Sequence, residues 1–218
     1  MKFSKQSLEE QAVEYLREKI ISGVYGVGEK LVESTLSKDL ELSRTTIRMA
    51  LNTLANEGLV IQKPYAGWRV VSFSEDDLWE IYHLRVAFES QAAEMLAERI
   101  TDEKREKLKA FFEQYVALCE SDNVCLNEVC QFDLKLHQLI VVLSGSQRLA
   151  RMYNSVLNQL LMFIHMTHLD FDAKESANSH TSLVEAICQG QPALAGKLAK
   201  ENITTFTELG KKLKESRK

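Results

Sequence analysis

Ser43-Arg44-Thr45-Thr46-Ile47-Arg48-Met49-Ala50-Leu51 reads as the second helix of a helix-turn-helix. Ser43 stands where an N-cap belongs, with a hydroxyl able to accept from the free N–H groups of the first turn. Arg44 and Arg48 are four residues apart and share one face, with Thr45 beside them. Ile47, Ala50, Leu51 and Leu54 form the opposite, apolar stripe at spacings of three and four. A helix held by one stripe and tipped with Arg and Thr on the other fits the major groove of DNA. There an arginine binds guanine O6 and N7 in two-pronged fashion, or grips phosphate. Taken alone, two surface arginines solvate an exposed helix about as often as they read a base, so the flanking sequence decides.

The flanks complete a domain. Ser7-Leu8-Glu9-Glu10 has capping-box spacing ahead of Ala12, Val13, Leu16, Ile20 and Ile21 at helical period. Gly23 and Gly26-Val27-Gly28 break that helix. A short second helix follows from about Glu33 to Leu40, and Leu42-Ser43 turns into the recognition helix. After Gly58, Leu59-Val60-Ile61 and Trp68-Arg69-Val70-Val71 are two β-type runs, joined through Lys63-Pro64-Tyr65-Ala66-Gly67 as a turn. Three helices and a hairpin predict a winged helix-turn-helix, with the hairpin tip as the wing.

Residues 8–73 resemble the DNA-binding domain of the GntR family of bacterial transcription regulators. The matching residues are Leu16-Arg17, Ile20-Ile21-x-Gly23, Gly28-Glu29-Lys30-Leu31, Leu36, Leu40, Ser43 to Arg48 with Ala50-Leu51, Leu54-Ala55-x-Glu57-Gly58-Leu59-Val60, and Gly67 in the wing. The resemblance implies that Arg44, Thr45, Arg48 and Gly67 touch DNA. The full set assigned to DNA is Ser43, Arg44, Thr45, Thr46 and Arg48 on the helix, with Lys63, Tyr65 and Gly67 at the wing. Two positions depart from the family pattern. Thr46 stands where many relatives carry Pro, as it does in the FadR branch. Met49 stands where Glu is usual, which is expected to leave the neighbouring arginines without a carboxylate to orient them.

Composition bounds the rest. With 218 residues and 45% hydrophobic content the chain has material for one large domain or two. It has no apolar run of about 20 residues and no signal-peptide-like start, so a cytoplasmic protein without a membrane span is expected. Cys119, Cys125, Cys130 and Cys188 show no CxxC spacing and are expected to be buried free thiols. The net charge of -4 is unevenly spread. Residues 1–73 hold 10 Lys+Arg against 9 Asp+Glu, and residues 74–218 hold 17 against 22. A nearly neutral DNA-binding half gains little from counterion release by one copy, whereas a homodimer on two half-sites doubles those contacts.

Residues 74–218 read as an antiparallel six-helix bundle, so the fold class is mainly α. Helices are expected at about 75–99, 101–121, 124–143, 147–168, 176–190 and 192–213, each with one apolar stripe and short links. Val71-Ser72-Phe73-Ser74 joins the two domains, 1–73 and 74–218. Within the bundle Asp133 and His137 lie four apart on one helical face, on a stripe shared with Cys130, Leu134 and Ile140. His180 begins another helix and Asn202 projects from the last. Three helices aiming N and O atoms at one interior point is how bundles build metal sites. For any lone His, a satisfied core or surface residue is the commoner outcome.

Residues 76–213 in turn resemble the FCD effector domain of the FadR subfamily. The markers are Arg85-x-x-x-Glu89, Asp133-x-x-x-His137, Ser144-Gly145, His180-x-x-Leu183-x-x-Ala186-Ile187 and Gly190. The resemblance implies a divalent transition metal (zinc, nickel or manganese) held at Asp133, His137 and His180. The fourth family ligand, normally His, falls on Asn202, a weaker ligand for such ions. Three arrangements follow: metal with Asn202 as a weak ligand, metal with water in its place, or a polar ligand pocket without metal. Arg85 reads either as a fork for an effector carboxylate or as an exposed ion pair with Glu89. His165 and His168 are further effector-binding candidates.

Together these residues predict a homodimeric transcription regulator, a repressor rather than an enzyme. It binds a two-fold symmetric operator in double-stranded DNA and answers to a small carboxylate in the bundle. Two alternatives stand beside this reading. One is a metal-free regulator responsive to acyl chains or fatty acids. The other is a metal-dependent enzyme in the bundle, against which no general base beyond the ligands is evident.

Overall fold

Ser7 opens the first helix with a reciprocal cap. Its hydroxyl accepts from the Glu10 N–H at 3.1 Å, and the Glu10 carboxylate accepts from the Ser7 N–H at 2.7 Å. The computed structural model describes residues 6–121, 124–167 and 173–203. Helix α1 spans Leu8–Ile21, α2 Glu33–Asp39 and α3 Arg44–Asn56. The turn between α2 and α3 is a Schellman closure, with Leu42 N–H donating to Ser37 O at 3.1 Å and Glu41 N–H to Lys38 O at 3.4 Å. Glu41 takes the left-handed position at φ 54°, where glycine is usual. The end of α3 repeats the closure with Leu59 N–H on Leu54 O at 3.0 Å, and there Gly58 holds φ 71°.

Leu16, Ile47, Ala50, Leu51, Leu54 and Leu59 are fully buried and form the centre of this helical cluster. Arg17 clamps α1 to the end of α3, with Nε 2.8 Å and a terminal nitrogen 2.6 Å from the two Glu57 oxygens. The Ser43 hydroxyl caps α3 by accepting from Thr46 N–H at 3.0 Å. Ser43→Ala is therefore expected to cost about 1 kcal/mol in equilibrium unfolding, and Ser43→Gly only a few tenths. Equal losses for the two variants would show that the cap does not contribute.

The wing carries one strand more than the sequence pattern showed. β1 (Lys30–Leu31), β2 (Val60–Lys63) and β3 (Gly67–Val70) form an antiparallel sheet in the order β1-β3-β2. Val60 pairs with Val70, Lys63 with Gly67, and Leu31 with Trp68. A two-residue strand has no period to read, so only pairing reveals β1. At the hairpin tip Ala66 N–H donates to Lys63 O at 3.1 Å. Pro64 supplies the first central residue of this turn, and Tyr65 sits at φ 60° with its ring fully exposed.

The remaining helices are α4 (Glu75–Glu98), α5 (Asp102–Cys119), α6 (Leu126–Leu143), α7 (Gln147–Thr167), α8 (Ala173–Cys188) and α9 (Pro192–Asn202). Ser74 and Asp77 cap α4 reciprocally, Thr101 caps α5, and Pro192 stands in the first turn of α9. α8 begins three residues before the expected Ser176, and residues of the last predicted helix beyond 203 lie outside the described residues. α4 packs on α6, α8 and α9, and α5 packs on α6 and α8. Two compact units result: Met1–Phe73 with Ser155–Phe163, and Ser74–Asn154 with Ile164–Lys218. The middle of α7 thus counts with the first unit. The cysteines are free, but only Cys119 and Cys130 are buried; Cys125 is exposed and Cys188 half-buried. That corrects the expectation of four buried thiols.

Candidate functional site

The stripe that packs α3 leaves its other face outward. Ser43, Arg44, Thr45 and Arg48 are exposed and Thr46 is half-buried, while Lys63, Tyr65 and Gly67 are exposed at the wing. Arg48 is not free, however. Its Nε lies 3.0 Å from Glu33 Oε1 and a terminal nitrogen 2.7 Å from Glu33 Oε2, a two-pronged pair across α2 and α3. Glu33 Oε1 also accepts from the indole N–H of Trp68 at 3.1 Å. The Arg48 bonds, and then that of Trp68, outweigh partial burial and hold the Glu33 carboxyl below its ordinary range. For Arg48 this corrects the expectation that Met49 leaves the arginines without an orienting carboxylate. The carboxylate comes from Glu33, 15 residues upstream, where spacing along one helix cannot show it.

In the second unit, α4, α5, α6, α7 and α8 bring a polar cluster into an apolar interior. Asp133, His137 and His180 each offer one ligand atom, and these atoms lie within 4.8 Å of one another. His137 and His180 are buried, at 1% and 2% exposure. Their Nε2 atoms are 3.1 Å apart, and His180 Nε2 is 3.2 Å from Asp133 Oδ1. Each ring is engaged on its other side. His180 Nδ1 is 2.7 Å from Ser176 O, and His137 Nδ1 is 2.7 Å from Glu89 Oε2. The His137 contact is close but poorly aligned, so Glu89 Oε2 is an ion-pair partner without a well-formed hydrogen bond.

These contacts decide what the cluster accepts. A backbone carbonyl only accepts hydrogen bonds, so His180 Nδ1 carries a proton, and the Glu89 carboxylate against His137 Nδ1 favours a proton on that nitrogen too. His180 Nε2 then faces both His137 Nε2, at 3.1 Å, and Asp133 Oδ1, at 3.2 Å, so three acceptor positions converge that need either a cation or a proton on His180 Nε2 between them. Ligands about 2.1 Å from a tetrahedral ion are roughly 3.4 Å apart, close to the 3.1 and 3.2 Å from His180 Nε2 to His137 Nε2 and Asp133 Oδ1. Oriented imidazoles backed by a carboxylate and a carbonyl are also the usual outer support of a metal site. Residues Asp133, His137 and His180 therefore fit a divalent transition ion. Burial alone pushes the Asp133 carboxyl up, but His180, His137 and Arg85 together hold it well below the carboxylate range. Burial lowers the His180 pKa, yet Asp133 more than offsets this and the net shift is upward.

A second buried group adjoins the first. Arg85 Nε donates to Glu89 Oε1 at 2.8 Å, and an Arg85 terminal nitrogen lies 3.9 Å from Asp133 Oδ2. The Tyr153 hydroxyl donates to Glu89 Oε1 at 2.7 Å. The Tyr115 hydroxyl meets Ser176 Oγ at 2.6 Å and donates weakly to Asp133 Oδ1 at 3.4 Å. The Arg85–Glu89 pair exists as one sequence reading had it, but it is buried rather than exposed, with side chains 13% and 2% accessible. Asn202 closes the described part of α9, and its amide nitrogen lies 3.3 Å from Ser179 O and 3.2 Å from Ser179 Oγ. Ser179 Oγ in turn is 3.2 Å from His180 Nδ1. His168 lies outside the described residues, as does the side chain of His165. Tyr115, Tyr153, Ser176 and Glu33 escaped the sequence reading because their partners lie 15 to 64 residues away.

A winged helix-turn-helix in one unit and a helical bundle in the other define the class of a DNA-binding transcription regulator, and the comparisons agree. Residues 8–70 match the model of the bacterial regulatory proteins of the gntR family, and residues 80–205 match that of the FCD domain. The chain belongs to the GntR family of transcription regulators, whose members are not enzymes. It is 27% identical to the HTH-type transcriptional repressor GlaR of Escherichia coli K12, covering 88% of this chain and 90% of the relative. The Exu regulon transcriptional regulator of the same organism is also 27% identical, over 88% of this chain and 80% of its own. Among solved structures, E. coli McbR/YncC shares the fold with a TM-score of 0.77 at 18% identity, covering 98% of this chain and 100% of that one. No helix among the described residues is long and apolar enough to cross a membrane.

Proposed function

We propose that the protein is a cytoplasmic repressor that binds a two-fold symmetric operator as a homodimer and is controlled by a small carboxylate entering the FCD unit. Ser43, Arg44, Thr45, Thr46 and Arg48 contact the major groove, and Lys63, Tyr65 and Gly67 follow the wing. The repressor names of GlaR and of the D-xylose utilization regulator of Paenarthrobacter nicotinovorans support the sign of the response. Residues 74–218 carry the effector pocket and the dimer contacts.

One observation carries the input half: the two imidazole Nε2 atoms that face each other at 3.1 Å beside Asp133. Asp133, His137 and His180 would hold a divalent ion, which supplies positive charge and open positions for carboxylate and hydroxyl oxygens. Ser176 O holds the His180 tautomer, and Glu89 stands against His137 Nδ1 as its ionic partner. Tyr115 orients Asp133, and Arg85 adds a cation toward the same carboxylate. Asn202 stands behind His180 through Ser179 and completes the ligand set only through its amide oxygen. His165 and His168 remain effector-binding candidates.

The test is a mobility-shift titration of the protein on DNA upstream of its own gene, with a series of small organic acids, each with and without chelator. Release of DNA by one acid class, abolished by chelator, is the expected result. Release that ignores chelator would favour the metal-free acyl-responsive regulator, and no shift under any condition would remove the operator reading. In the same assay Arg48→Ala is expected to weaken operator binding roughly tenfold or more. Binding unchanged by that substitution would take Arg48 out of the interface.

A further inference from the structure

We infer that Glu33 is a positioning residue for sequence readout: it fixes Arg48 as a charge-compensated reader of one base edge instead of a free surface cation. The inference rests on the operator-binding reading of α3. A guanidinium has five N–H groups in a rigid fork. The pair with Glu33 uses the Nε edge of Arg48, at 3.0 and 2.7 Å. The other edge, between the two terminal nitrogens, stays available, and the Arg48 side chain is 59% exposed. That outer edge is the two-pronged face that matches guanine O6 and N7.

Glu33 can serve as a support because it is itself held. Its Oε1 accepts from Trp68 Nε1 at 3.1 Å, and Trp68 is 3% exposed in β3, where it pairs with Leu31 of β1. Glu33 also occupies the first turn of α2, whose N-cap Val32 makes no side-chain cap bond. A carboxylate is favoured there by the free N–H groups of the helix start. One carboxylate thus ties the recognition helix to the wing sheet.

Two consequences follow. A fixed fork loses less side-chain freedom on docking, which favours the base it is aimed at. A compensated cation draws less on phosphate, which weakens binding to every other sequence. Glu33 therefore raises the ratio of specific to non-specific affinity from both sides without touching a base.

The experiment measures Kd over a salt series for an operator duplex selected from random sequence with the wild-type protein, and for a scrambled duplex of equal length. Wild type, Glu33→Gln, Glu33→Asp, Arg48→Ala and the Glu33→Gln/Arg48→Ala pair are compared. Glu33→Gln is expected to lower the operator-to-scrambled ratio about tenfold. It should also steepen the salt dependence on scrambled DNA by about one counterion per chain. Both effects should vanish in the Arg48→Ala background. Glu33→Asp keeps the charge but withdraws the fork, so it should lose the ratio while keeping the wild-type salt slope, which separates positioning from misfolding. A ratio within twofold of wild type in Glu33→Gln, while Arg48→Ala lowers it, overturns the inference and leaves the operator reading standing. An equal loss with and without Arg48 overturns it too, because Glu33 then acts independently of that arginine. Operator binding indifferent to Arg48→Ala overturns both.

Discussion

Glu89→Ala is expected to destabilise the helical unit by about 3–5 kcal/mol, the usual cost of stranding one member of a buried ion pair. Glu89 is 2% exposed and takes three partners at once: Arg85 at 2.8 Å, Tyr153 at 2.7 Å and His137 at 2.7 Å. Burial alone would push its carboxyl up, but the Arg85 charge and then His137 hold it ionised below the ordinary range. Without it the Arg85 guanidinium, 13% accessible, keeps among the described residues Asp133 at 3.9 Å as its one ion-pair partner. Urea unfolding of the full chain measures the loss, read on the transition of this unit. Arg85→Met combined with Glu89→Leu should recover part of it, since removing both charges costs less than stranding one. A Glu89→Ala loss below about 1 kcal/mol would mean that the pair is solvated in solution.

The second large effect concerns the ion. Zinc, nickel or manganese at a hundred times its dissociation constant should stabilise the protein by about 2.7 kcal/mol, the mass-action value for one site. His180→Ala should abolish that gain, since even outer-shell substitutions cost 10- to 100-fold in metal affinity. Thermal unfolding with and without chelator, together with elemental analysis, reads both quantities. His180→Ala is informative because Asn202 is the weak position. If the alanine variant keeps its metal, the ion sits elsewhere. If neither protein binds any of the three ions, the 3.1 Å contact between Nε2 atoms is bridged by a proton. The cluster would then be a polar pocket.

Substituting Asn202 itself is less decisive. Its amide reaches Ser179, and Ser179 reaches His180 Nδ1 at 3.2 Å, so Asn202→Ala disturbs an outer contact whether or not the amide oxygen binds an ion. Asn202→His is the more telling change. It restores the family ligand and should tighten metal binding if the last helix faces the cluster.

Local chemistry was legible in the chain. Ser7, Ser43 and Ser74 announced helix starts, because a cap is made by a hydroxyl and N–H groups two or three residues on. The apolar stripe of Ile47, Ala50, Leu51 and Leu54 announced which face of α3 is buried, since a helix repeats every 3.6 residues. The spacing of Asp133 and His137, four apart on α6, put both on one face for the same reason.

Tertiary structure alone decided which of these groups meet and in what state. Glu33 replaced the carboxylate missing at position 49, and Glu89 became the shared partner of Arg85, Tyr153 and His137. β1 became a strand only by pairing with β3. Sequence periodicity is a property of one helix or strand and fixes which way a side chain leaves it. The charge, tautomer and reach of that side chain depend on what a second element brings within about 3 Å, and hydrogen-bond and Coulomb energies fall too steeply with distance for that to be read from spacing.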